Sequence, residues 1–140
     1  MYTGVFCFRK RKRVIYSLLV LSSPMKSTNA ARFAEAVLKR GHQIARVFFM
    51  DDGVYHGQGH SVFPQDESHP ARIWEALSES HDLELVLCVS SALKRGILDE
   101  SEAARYEKGG ATMHPAFQIG GLGLLVDATS SSDRVVTFGG

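Results

Sequence analysis

Short apolar runs alternate with segments of helical period along this chain, and that alternation limits its possible folds more than any other feature. Residues 14–21, "VIYSLLVL", are an apolar run of strand length. Ser27 or Thr28 is placed to cap a helix in which Ala30, Phe33, Ala34, Val37 and Leu38 recur at helical spacing, and Gly41 is placed to end it. Residues 43–50, "QIARVFFM", read as a second strand, closed by the turn signal Asp52-Gly53. A polar loop follows from Val54 to about His69, longer than a compact fold requires. Pro70 suits the first turn of a helix that carries Ile73, Trp74 and Leu77 on one face. Residues 83–89 are a third strand, and residues 99–108 a short helix with its acids at the favourable N-terminal end. Residues 117–119, "FQI", are a brief fourth strand entering the glycine-led helix "GGLGLLVDATSSS", and residues 134–138 are a terminal strand. The pattern predicts an α/β fold, a single-domain three-layer sandwich with a mainly parallel sheet of about five strands.

At 140 residues the chain is long enough for one core, and no repeat, linker or second domain is visible in it. Its charge is divided unevenly. Residues 1–13 hold Arg9, Lys10, Arg11, Lys12 and Arg13 and no acid, whereas the remainder has 11 basic and 15 acidic residues. We therefore expect a basic, flexible leader over 1–13 and a mildly acidic folded domain over 14–140, with no direct nucleic-acid binding. "RKRKR" before "VIYSLLVL" imitates the start of a signal peptide, but the apolar run is short and no small-x-small cleavage site follows. No run approaches the length of a membrane span. Two cysteines, Cys7 and Cys88, make no disulfide framework and no CxxC pair, which suits a reducing cytoplasmic location.

In open parallel sheets ligands gather outside the carboxyl ends of the strands, and Cys88 is one residue from such an end. Ser90 or Ser91 is placed to cap the helical turn that follows, which would aim backbone N–H groups near the sulfur and favour its anion. Lys94 and Arg95 would add positive potential. The residues alone leave two readings open: a reactive thiol, or a cysteine packed as a small hydrophobe. His56, His60 and His69 share one loop with Asp66 and Glu67, a set that zinc would accept, although solvated loop residues are the simpler reading. Neither "GVYHGQG" nor "GGLG" is a phosphate-binding fingerprint; Gly53 reads as a turn residue and Gly120-Gly121 as a tight strand exit.

Four stretches, "ARFAEAVLKRGHQIARVFFMDDGVYHG", "LVLCVSSALKRGILDESEAARY", "FQIGGLG" and "SDRVVTFG", resemble in this order and at these intervals the DsrE/TusD family of sulfur-relay proteins, with the closer likeness to its TusD branch. The most specific part is the cysteine followed by "ALKRGILDE", with "GLG" and "DRVV" downstream. The resemblance implies a DsrE-like fold and a sulfurtransferase that carries sulfur as a persulfide on Cys88, with no cofactor and no metal. It also implies a TusA-like sulfur donor, TusB-like and TusC-like subunits in a heterohexamer, and a TusE-like acceptor. The route ends in 2-thiouridine at tRNA wobble positions. The alternative within the family is a DsrE-like subunit of a sulfur-oxidation complex. Outside that role, the alternatives are a nucleotide- or flavin-binding α/β module and a non-catalytic assembly subunit. Two features depart from the family: the first thirteen residues, Cys7 included, have no counterpart, and "SSPMKSTNA" lacks the glycine often found there.

Overall fold

The computed structural model describes residues 12–139; Cys7 and most of the basic head lie outside them. Five strands, β1 (Ile15–Val20), β2 (Gln43–Phe49), β3 (Leu85–Cys88), β4 (Gln118–Gly120) and β5 (Arg134–Phe138), form one sheet in the order β4-β3-β2-β1-β5. Every pairing is parallel, so each strand is reached by a crossover. Helices α1 (Asn29–Lys39), α2 (Pro70–His81), α3 (Val89–Lys94), α4 (Glu100–Arg105) and α5 (Leu122–Ser130) lie in those crossovers. The expected α/β sandwich is present, with a sheet that is wholly rather than mainly parallel. Among the described residues no helix is long and apolar enough to cross a membrane.

The two sheet faces meet different layers. On one, Leu18, Val20, Val47, Phe49, Leu85 and Leu87 pack against α1 and α2 through residues such as Ala34, Val37, Leu38 and Trp74. On the other, Phe48, Val86 and Cys88 meet Leu124 and Leu125 of α5. Helices on both faces explain why the central strands read as continuous apolar runs rather than alternating ones. Asp99 caps α4, its side chain accepting the Glu102 N–H at 2.8 Å. Between β1 and β2 the register slips once: Tyr16 pairs with Ile44 but Ser17 with Arg46, leaving Ala45 as an extra residue. This bulge reverses the alternation, so Ile44 and Val47 both join the α1–α2 core while Arg46 turns toward α5.

The segment after β2 departs from the expected polar loop. Asp51–Gly57 is a 3-10 helix in which Gly53, Val54, His56 and Gly57 are buried. "DDGVYHG" has no apolar period, so nothing local announces this; tertiary contacts impose it. Gly53 does not have a positive φ, so a turn dihedral is not its role. A Cβ there would lie 1.9 Å from the carbonyl oxygen of Val20, and only glycine lets the two backbones approach so closely. His56, 1% exposed, accepts the indole N–H of Trp74 on Nδ1 at 3.1 Å. Its Nε2 is therefore the protonated nitrogen and donates to the Ser22 carbonyl at 3.2 Å. His56 belongs to the core, not to a solvated loop.

Burial pushes the His56 imidazole down to about 4, against a smaller opposing effect of the Ser22 carbonyl. The sign follows directly. Between pH 6.5 and 4 the unfolded chain binds a proton at this residue that the folded chain refuses, so stability falls as pH falls. The full loss is about 3 kcal/mol. Urea unfolding at pH 7 and pH 4.5 should show it, and His56→Gln should flatten that part of the pH dependence. An unchanged slope in His56→Gln would contradict the assignment.

The other two loop histidines are elsewhere. His69 caps α2, with Nδ1 accepting the Ala71 N–H at 3.2 Å and Nε2 donating to the Ser61 carbonyl at 2.9 Å. His60 is exposed. Among the described residues no group of three or more His, Cys, Asp or Glu is placed to hold a metal ion.

Candidate active site

Cys88 ends β3 and also caps α3. The sequence points to Ser90 or Ser91 as the cap; the structure moves it back to Cys88, which makes the serines the second and third helical residues. Backbone N–H groups at those positions have no partner within the helix. The side chain of the cap is their usual acceptor, and here that side chain is a thiol rather than a hydroxyl. No closed hydrogen bond joins the sulfur to either N–H, but Ser90 Oγ lies 3.5 Å from Sγ. Burial alone would push the Cys88 thiol up. The hydroxyl and N–H groups of Ser90 and Ser91 outweigh it and hold the thiol below its ordinary value.

Neighbouring elements fix Ser91 in that role. Its buried hydroxyl accepts the Asp51 N–H at 3.0 Å, which leaves its own hydrogen available to the sulfur. Asp52, next in the same turn, pairs with Arg95 at 3.1 Å. Arg95 in turn donates to the Ser91 carbonyl at 3.2 Å. The cations therefore act differently from the expectation. Lys94 and Arg95 stand at the far end of α3, and neither contributes to the shift of the thiol. Serine dipoles, not a cationic side chain, favour the anion. A cavity of about 890 Å³ opens at that far end, lined in part by His60, Leu93, Lys94, Leu98 and Tyr106, and Cys88 is not among its walls.

Cys88 is nevertheless 2% exposed. It packs with Phe48 and Val86, and Leu19, Met50, Leu124 and Leu125 close around them. The serines that favour the anion and the side chains that cover the sulfur thus meet at one residue.

Residues 16–138 match the DsrE/DsrF-like family. The chain belongs to that family. It is 46% identical to a DsrE protein of Allochromatium vinosum, over 81% of this chain and 87% of that one. Identity to the sulfurtransferase TusD of Salmonella typhi is 42%, over 81% of this chain and 88% of the relative. Identity to a TusD homolog of Pseudomonas aeruginosa is 43%, over 79% and 85%. The crystal structure of the ychN protein from E. coli has the same fold, with a TM-score of 0.68 at 23% identity, covering 90% of this chain and 99% of that chain.

In this DsrE/DsrF-like chain, two residues that hold the elements next to the thiol escape a reading of the sequence. Arg46 left a signal: it is a lone cation in an apolar strand, and a cation there needs a partner when covered. The Asp51 N–H that orients Ser91 left none, because it belongs to the 3-10 helix that only tertiary contacts create.

Proposed function

We propose that this DsrE/DsrF-like protein is a sulfur-relay sulfurtransferase carrying sulfane sulfur on Cys88 as a persulfide. One observation carries the reading: Cys88 caps α3 where Ser90 and Ser91 favour its thiolate. Identities of 42–46% to TusD and DsrE proteins support it. In loading, the Cys88 thiolate attacks the outer sulfur of a donor persulfide; a new S–S bond forms, the donor's S–S bond breaks, and the donor leaves as a thiolate. In unloading, an acceptor thiolate attacks the outer sulfur on Cys88, and Cys88 leaves as a thiolate. Nothing is oxidised or reduced overall. The same two serines serve both steps, because Cys88 must be an anion as nucleophile and again as leaving group.

The proposed donor is TusA-like and the acceptor TusE-like, with TusB-like and TusC-like subunits completing a cytoplasmic heterohexamer that feeds tRNA 2-thiouridine. A second reading, a DsrE-like subunit of a sulfur-oxidation complex, is favoured by the 46% identity to the Allochromatium vinosum protein, which is no lower than that to TusD proteins. A nucleotide-binding role finds less support. In the loop after β1, the N–H groups of Met25, Lys26 and Ser27 already bond to Ser23.

Complementation separates the two relay readings. The chain, with its TusB-like and TusC-like partners, is expressed in a bacterium lacking TusD, and 2-thiouridine is measured in hydrolysed tRNA. Restoration is the expected result. Loading of Cys88 in vitro without restoration would shift the protein to sulfur oxidation, and failure of both would overturn the proposal.

A further inference from the structure

β4 and β5 are opposite edges of the sheet, so the connection between them must cross the sheet, and α5 makes that crossing on the Cys88 face. Little in its own sequence holds α5 there. Gly121 caps it without a side-chain hydrogen bond, its first turn has no acid and its last no base, and Ala128 is its one buried residue. Leu122 and Val126 are 54% and 66% exposed. Its seat comes from two strand side chains. Arg46 Nη1 donates to the Leu124 carbonyl at 2.7 Å and to Asp127 Oδ2 at 3.1 Å, while Arg46 Nε donates to Glu84 at 2.6 Å. Ser17 Oγ donates to the Ala128 carbonyl at 3.0 Å, nearer the helix end.

Leu124 joins this clamp to the thiol. Its carbonyl is held by Arg46, and its side chain packs in the Phe48–Val86–Cys88 cluster. It rests on the strand backbone beside the cysteine: Cys88 pairs with Gly120, and a Cβ on Gly120 would lie 2.4 Å from Leu124 Cδ1. The β2 bulge at Ala45 is what aims Arg46 at this helix.

We propose that Arg46 is a positioning residue for Cys88: it clamps α5 through Leu124 and Asp127, and release of that clamp admits a reagent to the thiol. The N-terminal half of α5 then lifts while the Ser17–Ala128 bond holds the other half as a pivot. This goes beyond the relay reading, since the cover faces any electrophile whatever the partner.

The test uses the full chain with Cys7→Ser, so that Cys88 is the only thiol, and the aromatic disulfide DTNB as probe. The thiolate attacks the DTNB disulfide, a mixed disulfide forms, and thionitrobenzoate is released and counted by absorbance. Arg46→Ala is expected to react about tenfold faster than its parent, the change equivalent to about 1.4 kcal/mol. Arg46→Lys should fall between, and Asp127→Asn should show a smaller rise. The midpoint of the rate–pH profile should stay put, and the rate should not respond to low urea, which marks local rather than global opening. The direction is decisive. Arg46 is not among the groups that shift the thiol, so its loss offers no electrostatic route to a faster reaction, and acceleration identifies release of a cover. A folded Arg46→Ala protein that reacts at the parent rate or slower overturns the proposal. If Arg46→Ala does not fold, an unchanged rate in Asp127→Asn overturns it. Neither outcome depends on a sulfur donor, so failure here leaves the relay reading to its own test.

Discussion

Cys88→Ser protein is expected to fold like its parent and to carry no sulfur. The swap is nearly isosteric, and the position is a helix N-cap, where serine is among the preferred residues. A serine hydroxyl there can accept from the N–H groups of Ser90 and Ser91, toward which the thiol makes no closed hydrogen bond. The melting temperature should therefore move by less than about 4 °C, the equivalent of about 1 kcal/mol. Loading from a cysteine desulfurase and a TusA-like donor should fall to background, because a hydroxyl forms no persulfide under these conditions. Separating the two effects is what makes the variant informative. Transfer to a TusE-like acceptor at the normal rate would show that Cys88 is not the carrier.

Gly53→Ala carries the largest expected cost in stability. The added methyl would lie 1.9 Å from the Val20 carbonyl oxygen and 2.7 Å from the Val20 carbonyl carbon. Neither atom is the end of a flexible side chain. Either β1 or the 3-10 helix must shift, at about 3 kcal/mol or more. For a domain of this size that is a fall of about 10 °C or more in melting temperature. The shift also reaches the thiol, because the same 3-10 helix supplies the Asp51 N–H to Ser91 and the Asp52 carboxylate to Arg95. The rate–pH profile of Cys88 should consequently move to higher pH in any Gly53→Ala protein that folds. A protein with parental stability would contradict the close approach of the two backbones.

The parts of this fold that were legible in the sequence are those whose cause is local. α1 and α2 show helical spacing of apolar residues and have Gly41 and Pro70 at their ends. β1, β2 and β3 are apolar runs because both sheet faces are covered. Cys88 could be placed at the end of β3 for the same reason. What the sequence hid is long-range. The 3-10 helix over Asp51–Gly57 exists because Gly53 meets Val20 and His56 meets Trp74, contacts between residues far apart in the chain. The cap of α3 was missed by two residues or more because serine is the commoner cap and a strand-ending cysteine gives no capping signal. The cover over Cys88 depends on strand order, which puts β4 and β5 on opposite edges and sends α5 between them. Composition carries no trace of that order.

The central claim, that sulfur rides on Cys88, is tested most directly by finding where the sulfur goes. The full chain, with both cysteines present, is loaded by a desulfurase and a TusA-like donor, the persulfide is blocked by alkylation, and the protein is digested for peptide mass analysis. The expected result is a mass gain of one sulfur atom on the peptide containing Cys88, none on the peptide containing Cys7, and loss of that gain when a TusE-like acceptor is added. Added sulfur found on Cys7, or on Cys88 but retained in the presence of the acceptor, would contradict the account.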